Sequence, residues 1–92
     1  MKNEIFTVLD QAMERFMEPF FAVTVRDALR GFGDVCVTEG HQFQKFPEDY
    51  ALYHIGEFNP ETGELKPMKP RKVANATNYV QPQFRPEVVE NA

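Results

Sequence analysis

The sequence predicts an α+β fold: a small antiparallel sheet of about four strands, built as two hairpins, packed on one helix and followed by an extended C-terminal tail. Three observations point there. Short runs rich in β-branched and aromatic residues are bounded by turn residues, as strands are. One stretch, from Val25 to Cys36, repeats apolar residues at helical spacing. The chain has 92 residues, 42% of them hydrophobic, enough for one core and no more. With nine Phe, three Tyr and no Trp, that core covers one face of a sheet with one helix. The other face is left for solvent, for the tail or for a second copy. The expected organisation is a single domain over residues 1–76 and a tail over residues 77–92.

Glu4-Ile5-Phe6-Thr7-Val8-Leu9 reads as the first strand, stopped by Asp10-Gln11, and residues 10–18 read as a loop. Pro19-Phe20-Phe21-Ala22-Val23 is a second short strand, with Pro19 at its start, where a missing N–H does least harm. The two pair as an antiparallel ribbon. Thr24-Val25-Arg26-Asp27 has the form of a capping box, with Asp in place of the usual Glu or Gln. Val25, Ala28, Leu29, Phe32, Val35 and Cys36 then line one helical face, and the helix is expected to end near Glu39-Gly40.

Residues 40–49 read as a linking loop pinned by Phe43 and Phe46. Tyr50 to Phe58 is the third strand, apolar on both faces and so at least partly covered on both. Asn59-Pro60-Glu61-Thr62-Gly63 supplies the hairpin loop, and Glu64-Leu65-Lys66-Pro67-Met68 returns as an edge strand. From Lys66 onward Pro67, Pro70, Pro82 and Pro86 are expected to break any long element.

Charge is unevenly placed. The chain carries −4 formally, but residues 1–64 hold five basic and twelve acidic side chains, whereas residues 65–92 hold five basic and two acidic. An anion therefore meets the second part. Cys36 stands alone, which excludes an intrachain disulfide, and its apolar neighbours mark a buried structural thiol. With neither an N-terminal signal pattern nor a long apolar run, the chain reads as cytoplasmic and not membrane-bound.

No catalytic site, metal site or cofactor is expected. His41 and His54 are thirteen residues apart, with no Cys or second His at ligand spacing. Glu48 and Asp49 are adjacent and point differently, so Pro47-Glu48-Asp49 is better read as a turn. Gly31-Phe32-Gly33 lies inside a helical pattern and lacks the Lys and Ser/Thr of a phosphate loop. The one binding constellation is Lys66-Pro67-Met68-Lys69-Pro70-Arg71-Lys72, with four basic residues in seven and no acid. Held extended by its prolines, Lys66, Lys69, Arg71 and Lys72 can follow a phosphate backbone, and Tyr50 and Tyr53, with Phe58 and Tyr79 nearby, can stack bases. The structural counterpart is a basic edge strand that resists edge-to-edge pairing beside aromatic residues that form the core.

From Ile5 to Ala76 the chain resembles the small nonstructural protein of gokushovirus-type microviruses, phages with single-stranded DNA genomes. The resemblance rests on Pro19-Phe20-Phe21-Ala22, Arg26-Asp27-Ala28, Arg30-Gly31-Phe32, the run Pro47 to Phe58 and Thr62-Gly63-Glu64. It implies a DNA-binding or replication accessory protein acting in the host bacterial cytoplasm, at the switch from double-stranded to single-stranded synthesis. The expected partner is single-stranded DNA, met by a homo-dimer or larger homo-oligomer that brings several basic runs together. The alternative expectation is an interaction module for a host or phage replication protein.

Overall fold

The structure, a computed structural model, describes residues 2–80. It is the α+β arrangement expected, with one sheet and one principal helix. The sheet comprises β1 (Asn3–Asp10), β2 (Arg15–Phe16), β3 (Phe20–Ala22), β4 (Tyr50–Phe58) and β5 (Leu65–Asn75). All pairs are antiparallel. The order is β2-β1-β4-β5, with β3 sharing the outer edge of β1 with β2. The first strand is therefore central and β5 forms one border.

Helix α1 (Val25–Cys36) begins where Thr24 caps it, the Asp27 amide donating to Thr24 Oγ1 at 3.1 Å. It ends at Cys36, short of the expected Glu39-Gly40: the Val37 amide still donates to the Gly33 carbonyl as in a helix, and the Thr38 amide then tightens back onto the Val35 carbonyl at 3.1 Å. Its apolar stripe does what the spacing requires: Ala28, Phe32 and Cys36 are buried against Phe6, Val8, Leu52, Ala74 and Ala76. Val25, Leu29 and Val35 pack around them.

Two stretches read as loops contain short elements. Arg15–Phe16 pairs with Asp10 and Leu9, so the segment after β1 folds straight back as β2. Between α1 and β4 lie α2 (Gln42–Lys45) and a 3-10 turn, Pro47–Asp49. His41, expected as a loop residue, caps α2: its Nδ1 accepts from the Phe43 amide at 3.0 Å. Phe43 is the aromatic pin, buried between Phe32 and Tyr50 at centroid distances of 5.7 and 4.5 Å.

The largest difference is β5. Expected to end at Met68, it runs to Asn75, through both Pro67 and Pro70. A proline lacks only its N–H, and on a border strand that N–H is not needed where it faces away from the ladder. The pairing with β4 is also irregular between His54 and Gly56, opposite the segment that holds Pro70. Gly56 makes the crossing feasible: a Cβ there would stand 2.7 Å from the Lys66 carbonyl oxygen. The β4–β5 hairpin closes through the Gly63 amide to the Asn59 carbonyl at 2.7 Å, with Gly63 at φ +79°, a backbone angle that suits glycine. After β5 a 3-10 turn, Ala76–Asn78, places Tyr79 on α1, edge-on to Phe32 at 5.9 Å. The packed body thus continues through residues expected in the tail, and residues 81–92 of that tail lie outside the described residues.

Candidate nucleic-acid interface

In a strand, directly paired residues share a face, and that rule sorts the sequence-predicted site. β5 is an extended border strand, and Lys66, Lys69, Arg71 and Lys72 are all exposed on it. They do not share one surface. Lys72 pairs across from Tyr53, which pairs in turn with Thr7, on the sheet face away from α1. Arg71 pairs with His54 on the α1 side. Lys66 pairs with Glu57 at the hairpin end, where Glu57 also meets Lys2 at 3.5 Å. Lys69 lies in the irregular stretch between Pro67 and Arg71. Among the described residues, Lys66, Lys69 and Lys72 form no ion pair.

Arg71 belongs to a side-chain chain crossing three strands. Its Nη2 lies 3.4 Å from His54 Nδ1, and His54 Nε2 lies 2.8 Å from Glu4 Oε1. A guanidinium only donates, so Nδ1 accepts and the ring proton on Nε2 is donated to the carboxylate. His54 is buried and stacked on Phe6, centroids 4.8 Å apart. This places it as a satisfied strand histidine.

The two tyrosines named as stacking residues part company. Tyr50 and Tyr53 are an odd number of residues apart in one strand, so they point to opposite faces. Tyr50 is 6% exposed, packed under Phe43, with its hydroxyl donating to Gln42 Oε1 at 3.0 Å. It is a core residue, and burial holds its phenol above the ordinary value, with Asp10 and Asp49 adding to the effect. Its ring is not presented for stacking. Tyr53 is half-buried on the open face, edge-on to Phe16 at 5.3 Å. Tyr79 packs on α1, and Phe58 meets Phe21 edge-on at 5.4 Å.

The open face carries residues that the sequence reading left in a loop. Phe16 and Met17 from that loop, with Pro19, expected at the start of the second strand, join Thr7, Ile55 and Pro70 around an apolar groove of about 260 Å³. Phe16 is 45% and Met17 47% exposed. The apolar pair Phe16-Met17 between charged residues was the available signal, since a solvated loop has little reason to carry it. A larger cleft of about 460 Å³ sits at the hairpin end, but Lys2, Glu57, Glu64 and Lys66 line it with both signs of charge.

Cys36 is fully buried, and burial pushes its thiol up to about 11, which removes thiolate character. No cluster of three potential metal ligands occurs among the described residues, and no described helix is long and apolar enough to cross a membrane.

A family profile described as Phage ORF5 protein matches residues 3–79. No curated protein and no solved structure gives a significant match. The matched span starts with the central strand and ends with the tyrosine that packs on α1, so it takes in the sheet, its basic border and the whole core. On that coverage, the chain belongs to the Phage ORF5 protein family.

Proposed function

We propose that this phage protein is a noncatalytic, microvirus-type accessory factor that binds single-stranded DNA and assists genome replication or the switch to single-stranded synthesis. The observation that carries the reading is β5: four exposed cations on an extended border strand, with the Tyr53 ring beside Lys72. Phosphates attract Lys and Arg whatever the base sequence, and an aromatic ring next to such a track stacks bases. The acidic remainder of the chain confines the phosphate track to this border.

The test is a salt titration of binding to labelled single-stranded oligonucleotide. Affinity falls steeply with salt for the wild type, and replacing Lys66, Lys69, Arg71 and Lys72 by Ala flattens the dependence. Absence of binding at low salt overturns the reading.

A second observation favours a protein contact. Phe21 and Leu65 are 52% and 62% exposed, and the pairing of Phe21 with Ile5 and of Leu65 with Phe58 sets both on the open face. Apolar surface of this kind marks interaction sites. On this reading the partner is a second copy or a replication protein, and a concentration-dependent change in sedimentation, lost in Phe21→Ser, Leu65→Ser, identifies the homo-oligomer.

A further inference from the structure

We propose that the groove lined by Thr7, Phe16, Met17, Pro19, Ile55 and Pro70 takes unpaired bases of single-stranded DNA and holds them without reading their identity. The proposal rests on the DNA-binding reading above and adds where the bases go.

The groove crosses three strands of the open face. Thr7 from β1 and Ile55 from β4 lie on its floor, Pro70 of β5 stands on one wall, and Phe16, Met17 and Pro19 of the β2–β3 segment form the other. Its volume of about 260 Å³ falls below the roughly 300–1,000 Å³ of drug-sized ligand sites. It therefore suits a flat fragment, not a whole folded ligand.

Its chemistry fits a base face. The one side-chain hydroxyl at the groove is already committed, because Thr7 Oγ1 donates to the Met17 carbonyl at 2.6 Å. What remains is apolar. Such a surface takes the π-face of any base and offers nothing to discriminate the Watson–Crick edges.

Charge orients the ligand. On the β5 wall, Pro70 is preceded in sequence by the exposed Lys69, and Lys72, two residues on, pairs with Tyr53 on this same face, while Arg71 turns to His54 on the other. On the opposite wall, the acidic Glu18 sits exposed between Met17 and Pro19. A strand lying across this face gains by putting phosphates over β5 and loses by putting them over Glu18. The backbone then follows the border and the bases point inward, toward the groove and the Phe16–Tyr53 ring pair.

The experiment compares an oligothymidylate with an abasic deoxyribose-phosphate oligomer of the same length and charge, at several salt concentrations. The proposal expects the wild type to prefer oligothymidylate by about tenfold or more, a preference that persists as salt rises because stacking is not ionic. In the double variant Phe16→Ser, Met17→Ser, shown by circular dichroism to be folded, the two affinities converge. Equal wild-type affinities with a steep salt dependence overturn the groove and leave the phosphate track standing. Failure to bind either oligomer at low salt overturns both. A preference that survives in the double variant overturns the groove. So does a double variant that turns from dimer to monomer on sizing with its preference unchanged, which assigns the face to a second copy.

Discussion

His54 Nε2 lies 2.8 Å from Glu4 Oε1, and this contact ties the first strand to the fourth beside the buried Phe6 ring. A buried N–H that loses its acceptor costs more than the bond itself contributes. Glu4→Ala is expected to destabilise the fold by about 1–3 kcal/mol in urea denaturation, and Glu4→Gln, which keeps an acceptor, by less. In a His54→Phe background, where a ring still faces Phe6 but no N–H needs a partner, Glu4→Ala should cost under about 0.5 kcal/mol.

Alkaline pH should weaken the fold through Cys36. Burial raises the folded thiol from its ordinary 9.0 to about 11. Below pH 9 the thiol is protonated in both states and its contribution is complete. Between 9 and 11 the unfolded chain loses the proton first, so stability falls as pH rises. Tyr50 and Tyr79, both raised chiefly by burial, act in the same direction above their ordinary value of 10.0. Urea midpoints taken at pH 8, 9.5 and 10.5 should drop, and the decline should be shallower in Cys36→Ala, although that variant starts lower at every pH.

Two glycines of α1 should respond oppositely to alanine. At Gly31 nothing lies within 4 Å of an added Cβ, so Gly31→Ala gains helix propensity; about 0.5–1 kcal/mol of added stability is expected. At Gly33 the Cβ would stand 2.8 Å from the Tyr79 ring. Gly33→Ala must displace that ring, and the near-ultraviolet circular dichroism of the tyrosines should change in this variant alone.

The four basic residues should not contribute equally to DNA binding. Lys72 stands beside Tyr53, whereas Lys66 stands across from the Glu57 carboxylate. Each phosphate contact on a single strand adds about 0.7 to the slope of log affinity against log salt. Lys72→Ala should therefore reduce the slope by about 0.7, and Lys66→Ala by less. A reversed order, measured by fluorescence anisotropy, would refute the placement.

How far the fold could be read in advance varied by element, for physical reasons. The strand Tyr50–Phe58 and the face of α1 carry their signal locally, in β-branched and aromatic runs and in spacing, and both emerged with little change. β5 did not, because its prolines break an internal strand but not a border one, and only the finished sheet order says which it is. The candidate site suffered from the same dependence on context. The basic run was legible as composition, but its division among Arg71 on one face, Lys72 on the other and Lys66 at the hairpin end is a matter of pairing. The opposition of Tyr50 and Tyr53 was already implicit in their odd spacing along one strand. The groove was not, since it needs β2 folded back across β1.

The central position of β1 also has a consequence in time. Thr7 pairs with Tyr53 and Val8 with Leu52, so β1 leaves the ribosome before its main partner, β4, exists. β4 and β5 join through a short local loop, but β1 closes a long one, and such closure slows folding. A nascent chain that stops before Tyr50 has β3 and α1 to set against Phe6 and Val8, but it leaves the long edge of β1 that β4 occupies unpaired. Synthesis and folding of this protein are therefore coupled late, and a ribosome that pauses ahead of β4 leaves a sticky intermediate.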